Sequence, residues 1–154
     1  MNLGFLTENL GSSQIGFFLI KNINDYLEKE QSHDITVFTE EHPMSCTTPS
    51  FPVMQAVEAW GQQGIMVSTS LSTACKLVKF PSASKKFFYV WDLEFLRGFT
   101  PMNYDLIKKI YLNKNIDLIA RCEHHAKIIE NNFNRKVTKI VQDFNITEML
   151  EAVQ

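Results

Sequence analysis

The feature that most constrains this chain is its rhythm. A short apolar run rich in β-branched or aromatic residues is followed by a longer stretch with helical spacing, and the pair recurs about six times. Repeated strand-then-helix units build a parallel sheet, because each strand must be returned to the same edge by a crossover. The runs that read as strands are residues 2–6, 35–38, 65–67, 87–91, 116–120 and 137–141. The fourth, Phe87-Phe88-Tyr89-Val90-Trp91, is the most continuous and reads as buried on both faces. It ends in two carboxylates, Asp92 and Glu94.

Between these runs the helical pattern is clear. Ile15, Phe18, Leu19, Ile23, Tyr26 and Leu27 form an amphipathic stripe, with Ser12 or Ser13 as its cap. Residues 40–52 hold three prolines and predict no regular structure; a short helix is expected over 53–60, ended by Gly61 or Gly64. Ser68-Thr69-Ser70 opens a helix carrying Leu71, Ala74, Cys75 and Val78. Thr100 and Pro101 read as a cap and first helical position, for a helix running to about residue 113. Another helix follows over 123–132, and Asn145-Ile146-Thr147-Glu148 resembles a capping box for the last one. With right-handed crossovers the expectation is one domain over 1–154. It is α/β, Rossmann-like and doubly wound, with a mainly parallel six-stranded sheet in the order 3-2-1-4-5-6 and helices on both faces.

That arrangement puts the first and fourth strands side by side, with a crevice beyond their carboxyl ends. Residues 7–14 would face residues 92–98, with 68–70 and 121–125 nearby. Within this crevice Asp92 and Glu94 are the candidate catalytic groups, since a carboxylate at the mouth of an apolar strand is partly desolvated and its pKa rises. Asp92 has an alternative role as a simple turn residue, and for Glu94 the structural role is the preferred of the two readings. Glu8, Gly11, Ser12, Ser13, Ser68, Thr69, Arg121, Glu123 and His124 are the candidate substrate-binding residues. Arg121 is read either as an anion contact or as a structural tie to Glu123 or Asp92.

Composition narrows the function classes. The chain has 154 residues, 45% of them hydrophobic, which suffices for a core. A net charge of −2 supplies no field for nucleic acid or an anionic membrane. The phenylalanines read as core, and Lys85-Lys86, Lys108-Lys109 and Arg135-Lys136 as solvated surface. Cys46, Cys75 and Cys122 are scattered and odd in number, which argues against disulfides or zinc and for a reducing cytoplasm. No apolar run reaches the length of a membrane span. His124 and His125 are adjacent and point about 100° apart on a helix, a poor pair for one metal ion, so no cofactor or metal is expected; one of the two would face the crevice. His33 and His42 read as loop residues.

Several motifs are missing. Only Gly11 lies in the turn after the first strand, short of the glycine set of a dinucleotide site. No phosphate-binding P-loop and no G-x-S-x-G elbow occur. The third strand ends in Ser68-Thr69-Ser70, where a phosphorelay receiver would place an acidic residue.

Four segments carry a family resemblance: Asn2-Leu3-Gly4-Phe5-Leu6-Thr7-Glu8-Asn9 with Gly11; Tyr89-Val90-Trp91-Asp92; Asp117-Leu118-Ile119-Ala120-Arg121-Cys122-Glu123; and residues 137–145. Together they resemble the N-terminal, acceptor-side domain of GT-B glycosyltransferases of the family-4-like group. The chain departs from that pattern in three ways. The sequence ends at residue 154, where that family's donor-binding domain would be expected to begin, Trp91 stands where a histidine is common, and Cys122 stands where a serine is usual. The resemblance implies a glycosyltransferase-like domain, acting with a partner or as a homo-oligomer, with a nucleotide sugar and an acceptor as ligands. Backbone N–H groups at 11–14 would approach the donor. The alternative is a non-catalytic interaction or assembly module that keeps the fold and uses the 40–52 loop as a contact. A third class is a small phosphate-binding enzyme using Ser68, Thr69 and Ser70.

Overall fold

The structure is a computed structural model and describes residues 2–30, 32–41, 44–97 and 101–153. Seven parallel strands form one sheet: β1 (Asn2–Thr7), β2 (Asp34–Thr39), β3 (Val53–Gln55), β4 (Gly64–Ser68), β5 (Ala83–Val90), β6 (Asp117–Ala120) and β7 (Lys139–Ile140). Their order is β3-β2-β1-β4-β5-β6-β7. The connecting helices are α1 (Gln14–Lys29), α2 (Leu71–Leu77), α3 (Pro101–Tyr111), α4 (Glu123–Phe133) and α5 (Ile146–Val153). The fold is a doubly wound, Rossmann-like α/β sheet, as the alternation predicts.

The continuous apolar strands divide cleanly into two faces, because side chains alternate along a strand. Leu3, Phe5, Val37, Val67, Phe87, Tyr89 and Ile119 join Leu19, Ile20 and Ile23 of α1 and Met149 and Leu150 of α5 in one core. Leu6, Phe38, Met66, Phe88, Val90, Leu118 and Ala120 meet α2, α3 and α4 in the other. Gly4 makes room in the second core. A Cβ there would lie 2.2 Å from the Met66 sulfur of the neighbouring strand.

One strand and one neighbour relation differ from expectation. Residues 53–60 were expected as a helix. Instead Val53–Gln55 pairs in parallel with β2, and only then does a 3₁₀ turn follow at Ala56–Gly61. Three residues are too few to show a period of two, so the run carried no strand signature. This extra strand takes third place at the sheet edge. The strand at Gly64–Ser68 therefore becomes the fourth and inserts beside β1, pairing Leu3 with Ile65 and Leu6 with Ser68. The strand that contains Phe87 pairs with it in turn, Val67 opposite Phe87. The expectation that residues 2–6 and 87–91 lie side by side is thus corrected: they are parallel and in one sheet, with β4 between them.

Elsewhere the boundaries shift slightly. Residue 91 has left β5, with the Trp91 N–H donating to the Tyr89 carbonyl at 3.0 Å. The last strand is paired only over Lys139–Ile140. The α5 cap is half of the expected box: Asn145 Oδ1 accepts from the Glu148 N–H at 3.2 Å, while the Glu148 carboxylate accepts from the Asn145 amide and the Gln142 N–H. Pro101 does open α3. Residue 98, Thr100 and His42 lie outside the described residues. Among the described residues no helix is long and apolar enough to cross a membrane.

Candidate functional site

From β1 the chain winds outward through β2 and β3, then returns to the other flank of β1 and winds the opposite way through β4 to β7. The winding reverses between β1 and β4, and ligands of open α/β sheets bind outside the carboxyl ends of the strands at such a point. A crevice of about 150 Å³ opens there, lined by Thr7, Glu8, Asn9, Ser13, Ile15, Thr69 and Ser70.

Each wall has a local cause. On the β1 side, the Glu8 carbonyl accepts from the Glu40 and Glu41 N–H groups, which clasp the turn against the end of β2. Asn9 Oδ1 then accepts from the Gly11 N–H at 3.1 Å, an Asx turn that bends the chain back toward α1. Ser13 caps α1, its Oγ accepting from the Gly16 N–H at 3.1 Å. Gly16 permits the tight entry: a Cβ at that position would sit 2.8 Å from the Gly11 carbonyl oxygen. On the β4 side, Ser70 caps α2. Its Oγ accepts from the Thr73 N–H at 3.2 Å, and the Thr73 hydroxyl accepts from the Ser70 N–H at 3.0 Å, a closed capping box.

Two carboxylates converge on this cap from different strands. The Ser70 hydroxyl donates to Glu8 Oε1 at 2.9 Å. The Leu71 N–H donates to Glu94 Oε1 at 3.1 Å. Glu94 reaches the cap because its neighbours are pinned: Leu93 and Phe95 are buried, and the Phe95 ring meets Tyr111 at 5.2 Å and Phe133 at 5.0 Å. Crowding away from water raises the Glu94 pKa above the ordinary glutamate value. The Leu71 N–H opposes this, and the Glu8 and Asp92 charges reinforce it. The residue is nevertheless exposed overall, so solvent screens much of the effect. Asp92 is ion-paired with Arg97. A carboxylate with a raised pKa beside a second carboxylate and a hydroxyl can take a proton from, and orient, a ligand hydroxyl.

The sequence candidates therefore separate. Glu8, Ser13 and Thr69 line the crevice, and Glu94 stands at its α2 rim through Leu71. Gly11 lies behind it, shaping the Asx turn, and Ser12 is exposed on that turn. Ser68 is fully buried and donates to the Phe87 carbonyl at 3.2 Å, so its role is to tie β4 to β5. Arg121, Glu123 and His124 follow β6, two strands beyond β4, and do not line the crevice. Arg121 is a structural tie, but to Asp143, which takes N–H bonds from Nε at 2.9 Å and Nη2 at 2.6 Å. Its guanidinium also stacks on Trp91, with Cζ 3.9 Å from the ring centroid. Glu123 and His124 are exposed on the first turn of α4. Neither histidine lines the crevice; His125 has its Nδ1 buried without a partner, and burial lowers its pKa.

Sequence reasoning missed Asn9 and Gly16 as site residues, and named Ser70 only for the phosphate-binding alternative. Ser70 and Thr73 had a visible signal, two hydroxyl residues three apart ahead of a helical stripe. Asn9 two residues before a glycine is an Asx-turn signal. Gly16 had none, because its requirement is a close tertiary approach. Compared with protein-family models, with curated proteins and with solved structures, the chain matches none.

Proposed function

We propose that this domain is the acceptor-side half of a glycosyltransferase-like protein, and that the crevice between β1 and β4 takes a sugar hydroxyl. The observation that carries this reading is the pair of carboxylates, Glu8 and Glu94, meeting at the Ser70–Leu71 cap. Among the described residues the crevice lining holds no lysine or arginine. Carboxylates, an amide and hydroxyls accept hydrogen bonds from a polyol, whereas a phosphate would meet like charge. The set therefore favours the neutral acceptor over the anionic donor. Glu94 acts as the base for the acceptor hydroxyl and Glu8 orients it. At about 150 Å³ the crevice lies below the ~300–1,000 Å³ typical of small-molecule pockets. A nucleotide sugar would need a further surface from a second domain, a partner or a second copy.

Calorimetry and amide-resolved NMR with neutral monosaccharides and with UDP- and GDP-sugars test this. Expected are shifts at Glu8, Asn9 and Ser70 with the sugars, weakened at least tenfold by Glu8→Gln. Nucleotide diphosphates binding at these amides more tightly than sugars, or no response to any of them, would overturn it.

The sheet edge at β3 favours a second function, assembly without catalysis. Met54, Val57 and Trp60 expose 41, 69 and 49% of their surface there. Light scattering decides: a stable oligomer lost in Val57→Lys supports assembly, and a strict monomer that binds sugar removes it.

A further inference from the structure

A second concavity lies apart from the crevice. It is a groove of about 420 Å³ between the flank of α1 and the segment that joins β7 to α5. Among the described residues it shares no lining residue with the crevice. We propose that this groove binds a short neutral oligosaccharide.

Three observations carry the proposal. The first is size: the volume lies inside the ~300–1,000 Å³ range of small-molecule sites. The second is the chemistry of the lining. Asp25, Glu30, Asp143 and Glu148 supply carboxylate oxygens, with Asn and Gln amides between them and the Phe18 and Tyr26 rings on the α1 side. Acceptors exceed donors, so the ligand must be rich in donors. Hydroxyls and amines both qualify, and charge decides between them. Asp25 is balanced by Lys21 at 3.7 Å, Asp143 by Arg121 at 2.6 Å, and Lys29 stands in the lining itself. Little net negative field remains to hold a polycation, whereas a neutral polyol needs only the spare lone pairs. The half-buried Phe18 ring beside such acceptors suits the apolar face of a sugar ring, whereas Tyr26 is buried.

The third observation is preorganisation. Asp143 and Phe144 both have left-handed backbones, with φ of 45° and 59°, which non-glycine residues adopt at a cost. The surroundings hold them there. Arg121 grips the Asp143 carboxylate, and the Asn22 amide donates across the groove to the Asp143 carbonyl. Phe144 is fully buried, stacked on Trp91 at 5.3 Å, and its N–H donates to the Tyr89 hydroxyl at 3.3 Å. The wall is rigid before any ligand arrives, so binding spends little on ordering it. The proposal does not rest on the crevice being catalytic, because the two sites are read by different amides.

Amide-resolved NMR titration of the full chain with maltotriose, cellotriose and triacetylchitotriose, each to about 10 mM, tests it; a millimolar Kd is then near saturation. Expected are shifts at Tyr26, Gln142, Asn145 and Thr147 with at least one trisaccharide, whether or not the crevice amides of Glu8, Asn9 and Ser70 respond as well. Thr147 and Gln142 are exposed in the lining, so Thr147→Trp and, independently, Gln142→Trp should fill the groove and weaken binding at least tenfold. Whichever of the two folds with native amide dispersion is decisive. No shift at these amides with any of the three sugars overturns the proposal. So does a response to spermine alone, or trisaccharide binding that survives the tryptophan unchanged.

Discussion

At the scale of single residues, Glu94 is where structure and chemistry meet most directly. Its pKa is raised mainly by burial, so folding favours its protonated form relative to the unfolded chain. A carboxyl raised on folding binds more protons in the native state than in the unfolded one, so stability falls as pH climbs from the ordinary glutamate pKa through the folded value. Glu94→Gln keeps an oxygen for the Leu71 N–H and removes the charge that faces Glu8 and Asp92. Thermal melts should show the variant equal to wild type at acid pH and slightly more stable above neutrality. A variant less stable at every pH would mean the charge itself holds the α2 cap. Gly16 is a steric matter. Placing a methyl 2.8 Å from the Gly11 carbonyl must push α1 away from its entry turn. Overpacking of this kind costs about 1–3 kcal/mol, so Gly16→Ala should lower the urea midpoint accordingly. It should also disturb the Ser13 and Asn9 amides in NMR spectra.

At the scale of elements, the ends of helices explain more than their middles. The guanidinium of Arg135, which follows α4, closes the end of α3. Its Nη1 donates to the Tyr111 carbonyl at 2.9 Å and the Asn113 carbonyl at 2.7 Å, and its Nη2 to the Ile116 carbonyl just ahead of β6. Burial lowers its pKa without threatening its charge. A lysine has one nitrogen and cannot reach three carbonyls in a fork. Arg135→Lys should therefore cost about 2 kcal/mol in chemical denaturation, the order expected for buried acceptors left unpaired. A loss within error of zero would show that solvent satisfies those carbonyls. The sequence reading took Arg135-Lys136 for solvated surface, since a basic pair after a helix usually is. Only the approach of α3 turns the arginine inward. Asn134 was equally silent: it ends α4 in a left-handed conformation with φ of 49°. Asparagine tolerates this state, so Asn134→Ala should cost about 1 kcal/mol while Asn134→Gly costs less, as paired urea melts would show.

At the scale of the whole molecule, two cores share one sheet, and protection should follow strand position. Native-state hydrogen exchange is expected to be slowest at Leu6, Val67 and Phe88 in β1, β4 and β5, and fast at the edges β3 and β7, whose pairing spans only three and two positions. Edge strands as protected as the centre would point to their being covered by another chain. The sequence by itself determined the class of fold, because alternating periods of two and about 3.6 admit few solutions other than crossover units around a parallel sheet. It also located the carboxylates and the hydroxyl turn, since polar residues after apolar strands must lie at one edge of such a sheet. The tertiary structure alone decided which strands are neighbours. Strand order depends on pairing between distant segments, and a three-residue edge strand, invisible as a pattern, was enough to move β4 between β1 and β5. That one insertion brought Glu8 to Ser70, left Arg121 to Asp143, and put Glu94, beyond the next strand, within reach of the same helix cap.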